Sequence, residues 1–173
     1  MIPVVSIVGY SNSGKTTLIE KIIPLLKVKG YKIGTIKHDA HEFEIDHQGK
    51  DTWRMRRAGA DVVTISSEIQ MAMIKTVYAE ENIDEIVKQL FKDVHLVITE
   101  GYKASDKPKI EVIRFKNPLI MPENNLIGIV DNTSVGEVIT LPKEYKNINK
   151  FKIDDVNSIT DFIEERFLSN VEL

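Results

Sequence analysis

The sequence predicts an α/β fold in which a mostly parallel β-sheet is flanked by helices and one antiparallel hairpin element is added. Three observations carry that expectation. Apolar runs of strand length alternate with helix-forming stretches along the chain, as in a parallel sheet whose strands are buried on both faces. The first run, Ile2-Pro3-Val4-Val5-Ser6-Ile7-Val8, leads directly into a glycine-bounded loop and then a helical stretch. Further on, Asp61-Val62-Val63-Thr64-Ile65-Ser66 and Ile69-Gln70-Met71-Ala72-Met73-Ile74-Lys75 are separated by only Ser67-Glu68. That link is too short for a parallel crossover and suits a hairpin, an antiparallel element on the sheet.

In chain order, strands are expected at residues 2–8, 31–36, 61–66, 69–77, 94–99, 110–115 and 126–130, with helices at 15–29, 50–58, 82–92 and 155–169. Pro24 lacks an N–H, so the first helix should kink or shorten there, and Gly30 is its expected stop. The last helix carries Ile159, Phe162, Ile163 and Phe167 on one face, with Asp155 or Ser158 as its cap. Residues 118–125 and 142–149 read as the longer loops. Nothing in the chain reads as a repeat, a low-complexity tract or a linker, so residues 1–173 are taken as a single nucleotide-binding domain. A chain of that length buries about 70% of the surface it would expose unfolded, enough for a core without staples.

Composition removes several classes of function. The chain has no cysteine, which excludes disulfides, thiolate zinc sites and cysteine nucleophiles. Its apolar runs are strand-sized, and no basic region precedes a hydrophobic one at the N-terminus, so neither a membrane span nor a signal peptide is expected and the reading is cytoplasmic. A net charge of −3 argues against broad capture of nucleic acid. Any anion site must be local.

One such site is written out in full. Gly9-Tyr10-Ser11-Asn12-Ser13-Gly14-Lys15-Thr16 fits the phosphate-binding pattern G-x-x-x-x-G-K-[ST], with a strand before it and Thr17-Leu18-Ile19-Glu20-Lys21-Ile22-Ile23 as the helix behind it. The two glycines let the backbone close around an oligophosphate, and the amides of Ser13 to Thr17 point at the anion from a helix N-terminus. Lys15 is expected to reach the β and γ phosphates, and Thr16 to hold Mg²⁺. Gly9, Asn12, Ser13, Gly14, Lys15, Thr16 and Thr17 are therefore the expected nucleotide-binding residues.

Using that phosphate requires an acid nearby. Val94-His95-Leu96-Val97-Ile98-Thr99 ends in Glu100-Gly101, and ligands of open α/β sheets gather at the carboxyl ends of strands. Glu100 is thus assigned to Mg²⁺ and, with Lys15, to catalysis, while Gly101 allows a sharp turn close to the γ-phosphate. The loop from Lys37 to His47 concentrates metal-competent groups in His38, Asp39, His41, Glu42, Glu44, Asp46 and His47, but at no standard zinc spacing. Asp46 is the expected second Mg²⁺ ligand, through water, with Asp39 as its alternative. The basic run Gly49 to Ala60 holds Arg54 and Arg57, and Lys103, Lys107 and Lys109 follow Glu100. Lys37, His38, Arg54, Arg57 and Lys103 are assigned to a second phosphorylated ligand or a partner. For the base, Asn149-Lys150-Phe151-Lys152 begins the Asn-Lys-x-Asp guanine signature without its aspartate, and Asp131 after the run Leu126 to Val130 is the base-reading candidate. Spacing alone leaves GTP and ATP undivided.

The phosphate loop, Thr35-Ile36-Lys37-His38, Gly49-Lys50-Asp51-Thr52, Arg57-Ala58-Gly59-Ala60, Glu100-Gly101-Tyr102-Lys103 and Pro108-Lys109-Ile110-Glu111 follow one another in the order seen in molybdopterin-guanine dinucleotide biosynthesis protein B, which the chain resembles over residues 1 to about 135. The resemblance implies a P-loop GTP-binding protein with Mg²⁺, slow in hydrolysis and homodimeric, that assists the guanylyltransferase joining GMP to molybdopterin and meets the cofactor itself. It also implies the guanine preference. Two rivals rest on the same loop: an ATP-dependent small-molecule kinase or ligase, and a nickel- or zinc-insertion GTPase using the histidines at 38–47. No water-positioning glutamine or arginine finger is identifiable in the sequence, apart from Arg54 or Arg57 donated across a dimer, so slow turnover is expected.

Overall fold

Val4, Val5, Ile7 and Val8 are all buried, as is Ser6 between them, because the strand they form has neighbours on both edges and layers on both faces. This strand, β1 (Val4–Val8), lies inside a six-stranded parallel sheet. The chain continues through α1 (Lys15–Val28), β2 (Ile33–Lys37), α2 (Asp51–Arg57), β3 (Val62–Ser66), β4 (Met71–Lys75) and α3 (Ile83–Leu90). It ends with β5 (Leu96–Glu100), β6 (Lys109–Ile113), β7 (Leu126–Asp131), β8 (Asn149–Lys152) and α4 (Val156–Phe167). These elements come from a computed structural model, which describes residues 1–39, 43–114, 125–134, 139, 141, 145 and 147–171. Sheet order is β2-β5-β1-β6-β7-β8, and every neighbouring pair runs parallel.

The chain divides into two compact units: Met1–His38 with Ile86–Leu173, and Asp39–Glu85. In the first, alternation along the strands sends Val5, Ile7, Leu96, Ile98, Ile110 and Val112 to one core, where Leu18, Ile22 and Leu26 of α1 meet Ile159 and Ile163 of α4. The other face of β1 carries Ser6, and its buried hydroxyl accepts from Thr99 Oγ1 at 2.9 Å, so two buried polar groups satisfy each other. At the far end of α1, Lys29 bridges Asp161 at 2.8 Å and also Glu164, while the Tyr31 hydroxyl donates to Glu164 at 3.0 Å. These bonds tie α1 to α4 where the sheet no longer does.

Helix ends follow their local chemistry. α1 runs on through Pro24 to Val28 without shortening, then stops at Gly30 (φ 94°), where Gly30 and Tyr31 amides cap the Lys27 and Leu26 carbonyls. Asp155, not Ser158, caps α4: its carboxylate accepts from the Ser158 amide. Two expectations need correction. Residues 149–152, read partly as loop and partly as a broken base motif, form β8, a strand pairing in parallel with β7. The hairpin, expected on the main sheet, makes a two-stranded sheet of its own, because its ladder from Val62↔Lys75 to Ser66↔Met71 is closed locally. Of the expected loops, residues 118–124, 142–144 and 146 lie outside the described residues, as does Phe115 at the end of the sixth expected strand.

In the second unit, β3 and β4 are joined through Ser67, whose amide donates to the Gln70 carbonyl at 2.7 Å. Among that unit's described residues only Val63 and Ile83 are buried. Ile65, Ile69, Met71 and Tyr78 stand exposed, at 59, 96, 73 and 91% of their full surface.

Candidate functional site

Between β1 and α1 the loop Gly9–Gly14 turns on backbone angles that its sequence is built to accept. Gly9 has φ 147°, Asn12 60° and Gly14 104°. A Cβ on Gly9 would stand 2.5 Å from the Val112 carbonyl oxygen, and one on Gly14 would stand 2.8 Å from Asn132 Nδ2. Gly9 is therefore demanded by space as well as by torsion, whereas at Gly14 the torsion is the firmer demand, since the Asn132 amide end can give way. Gly14 caps α1 with no side-chain bond, so the first amides of the helix are left to whatever anion the loop holds.

The loop opens on a polar cavity of about 460 Å³ lined by Ser11, Asn12, Gly14, Lys15, Thr16, Thr17, Lys37, Glu100 and Arg114. The register Ile7↔Glu100 and Lys37↔Glu100 explains the gathering, since β1, β2 and β5 end at one level. Thr16 Oγ1 donates to Glu100 Oε2 at 2.7 Å. Lys15 Nζ donates to the Tyr10 carbonyl at 2.7 Å, folded back across its own loop. Burial holds the Lys15 ammonium below its usual pKa, the Glu100 carboxylate works against that, and Lys103 and Lys37 add to it. An oligophosphate would reverse the shift, because it places negative charge among these cations.

Loops around the cavity bring up the next group of expected residues. Gly101 (φ 100°) donates its amide to the Ile7 carbonyl at 3.0 Å, and a Cβ there would crowd His38 Cβ at 3.1 Å. The His38 ring packs on Tyr102 with centroids 4.6 Å apart, and the Lys103 ammonium lies 5.7 Å from the Tyr10 ring centre. Lys37, His38, Gly101 and Lys103 thus share the same end of the sheet. The donor set fits a magnesium nucleotide: a hydroxyl and a carboxylate within hydrogen-bond distance, helix amides and cations around them.

Asp131 sits at the end of β7 with both carboxylate oxygens engaged. Oδ1 accepts from the Thr133 amide at 2.9 Å and the Thr133 hydroxyl at 2.6 Å, and Oδ2 pairs with Lys152. Burial alone would raise its pKa, but the bonds from Lys152 and Thr133 outweigh that and hold it below the ordinary value. Its neighbour Asn132 reaches the phosphate loop instead, donating from Nδ2 to the Ser13 carbonyl at 2.8 Å. Arg114, just past β6, donates from Nη1 to the Asn12 carbonyl at 2.9 Å. Neither Asn132 nor Arg114 stood out in the sequence, for no local pattern marks them. Only the sheet order brings the ends of β6 and β7 beside the loop.

Asp46, Arg54 and Arg57 belong to the second unit. Asp46 Oδ1 accepts from the His47 amide at 2.9 Å and the Thr52 hydroxyl at 3.1 Å, while its buried Oδ2 has no hydrogen-bond partner among the described residues. The Arg57 guanidinium lies 5.3 Å from the Trp53 ring centre, and Arg54 pairs with Asp51 at 3.6 Å. Of the metal-competent loop, His41 and Glu42 lie outside the described residues; among the described ones no group of three or more His, Cys, Asp or Glu is placed to hold a metal. No helix among them is long and apolar enough to cross a membrane.

Residues 4–132 match the family model described as molybdopterin guanine dinucleotide synthesis protein B. A molybdopterin-guanine dinucleotide biosynthesis adapter protein from Haemophilus influenzae is 33% identical over 164 residues, covering 94% of this chain and 88% of the relative. A crystal structure of molybdopterin-guanine biosynthesis protein B is similar with TM-score 0.73 and 29% identity, covering 94% of this chain and 99% of the other. The Bacillus subtilis MobB crystal structure, at 24% identity, shares the fold with TM-score 0.78 and covers 98% of this chain and 100% of its own.

Proposed function

This chain belongs to the molybdopterin guanine dinucleotide synthesis protein B family, and from that premise we propose that it is a Mg²⁺-dependent GTP-binding accessory protein that serves a guanylyltransferase in attaching GMP to molybdopterin. The observation that carries the nucleotide part is the Thr16–Glu100 pair, 2.7 Å apart at the mouth of a cavity walled by the phosphate loop. On this reading Lys15 swings from the Tyr10 carbonyl to the β and γ phosphates. Gly9, Asn12, Ser13, Gly14 and Thr17 frame the phosphates, and Gly101 brings its loop close to the γ position. Thr16 and Glu100 would hold Mg²⁺, and the ion would supply neutralisation of phosphate charge there. Asp46 stays a proposed magnesium ligand, as its carboxylate in the loop after β2 suggests. Asp131 stays the proposed contact to the base, acting beside Asn132.

The remaining assignments concern partners. Lys37, His38 and Lys103, with Arg54 and Arg57, are proposed to meet the guanylyltransferase or the phosphorylated pterin. We read the protein as a cytoplasmic homodimer; the exposed apolar side chains of the second unit support an interface there. The relatives' name, adapter protein, supports a delivering role over a turnover role. The test is to add the chain and GTP to a purified guanylyltransferase and follow conversion of molybdopterin to its guanine dinucleotide. Wild type should accelerate the conversion and Lys15→Ala should not. Equal effects of the two proteins, or no effect of either, would sink the proposal, and a strict dependence on ATP with some other acceptor would point to a kinase or ligase.

A further inference from the structure

Arg114 follows β6 directly, and the register Val8↔Glu111 carries it past the end of β1 to the flank of the phosphate loop. There its Nη1 holds the Asn12 carbonyl at 2.9 Å while the side chain lines the same cavity as Lys15, Thr16, Lys37 and Glu100. Among the described residues, the charged groups lining that cavity are Lys15, Lys37 and Arg114 with the carboxylate of Glu100. The three cations differ in chemistry. Lys15 is held below its usual pKa by burial, whereas a guanidinium keeps its charge at every relevant pH and offers a planar fork that matches phosphate oxygens two at a time. A fork already anchored on the loop's own backbone has lost part of its freedom before the ligand arrives.

We propose that Arg114 is a phosphate-contacting arginine supplied from within the same chain, binding the nucleotide's phosphates while it fixes the Asn12 turn of the loop. The inference rests on the reading of Gly9–Thr16 as a nucleotide site and deepens it. It also removes the need for an arginine donated across an interface to account for phosphate charge in this cavity.

The role separates into charge and clamp, and substitution can divide them. Arg114→Gln removes the charge and leaves an amide two bonds shorter than the Nη1 that holds the Asn12 carbonyl, and Arg114→Lys retains the charge without the fork. Wild type, both variants and Lys15→Ala are titrated with Mg²⁺-GTP by calorimetry at low and moderate salt, with circular dichroism to check folding. Arg114→Gln should lose about 10- to 100-fold in affinity, as expected for a charge-assisted bond. It should also show a shallower dependence on salt, and Arg114→Lys should recover part of both. Unchanged binding by Arg114→Gln would overturn the proposal. So would equal losses in the two variants with the wild-type salt dependence, because the arginine would then act only as a clamp. Wild-type affinity in Lys15→Ala, or no binding by wild type, would instead remove the nucleotide site itself and Arg114's role with it.

Discussion

Lys15 illustrates what a single residue contributes and what it costs. Its ammonium reaches the Tyr10 carbonyl, and burial, with Lys103 and Lys37, holds its pKa below 10.5 while Glu100 opposes the shift. Between the lowered value and 10.5 the unfolded chain keeps a proton that the folded chain gives up, so folded stability rises with pH through that window. Urea unfolding of nucleotide-free wild type and Lys15→Met at neutral and alkaline pH should show wild type gaining stability relative to the variant as pH rises. A relative loss would mean that the charged lysine is stabilised where it stands. At this scale the sequence was legible wherever the chemistry is local: Gly9, Gly14, Lys15 and Thr16 declare themselves by spacing. Glu100 was reachable because an acid closing a buried run has a defined place in an open sheet. Arg114 and Asn132 were not, since each meets the loop only through the order of strands, and a lone arginine or asparagine carries no period.

Among the elements, β1 and its flanking helices were the most readable, because apolar positions recur on the side that faces the core. The helical face Ile159-Phe162-Ile163-Phe167 appears in α4, with Ile159 and Ile163 fully buried and Asp155 as cap. Ile159→Ala should therefore cost about 2–5 kcal/mol in equilibrium unfolding, the range for truncating a packed aliphatic side chain. A loss no larger than a surface substitution would show that α4 is not packed as described. Pro24 does not shorten α1, which reaches Val28 with Leu18, Ile19, Ile22 and Leu26 buried along it. β8 was missed because Asn149-Lys150-Phe151-Lys152 is four residues long and exposed except at Phe151, with no apolar run to announce it. The hairpin was legible from its short link, whereas its separation from the main sheet depends on tertiary placement that no window of sequence contains.

For the molecule as a whole, two units of different character share one chain. The larger has the buried core and the polar cavity beside the Gly9–Thr16 loop; the smaller shows two buried residues, Val63 and Ile83, among those described, and several exposed apolar side chains. A surface of that kind favours association, and the proposed homodimer predicts sedimentation at twice the mass of 19.7 kDa. If Arg54 or Arg57 also acts across that dimer, GTP turnover per subunit should climb with protein concentration. A flat rate would confine the phosphate charge to groups such as Arg114 within each chain. Composition bounded this scale only loosely, since charge and the lack of cysteine narrow the classes of chemistry without choosing the base or the partner. The central claim is that the Gly9–Thr16 loop binds Mg²⁺-GTP, and calorimetric titration of the purified chain with GTP and with ATP, each with and without Mg²⁺, tests it most directly. The account predicts saturable binding that prefers GTP and weakens without Mg²⁺; equal or tighter binding of ATP, or indifference to Mg²⁺, would contradict it.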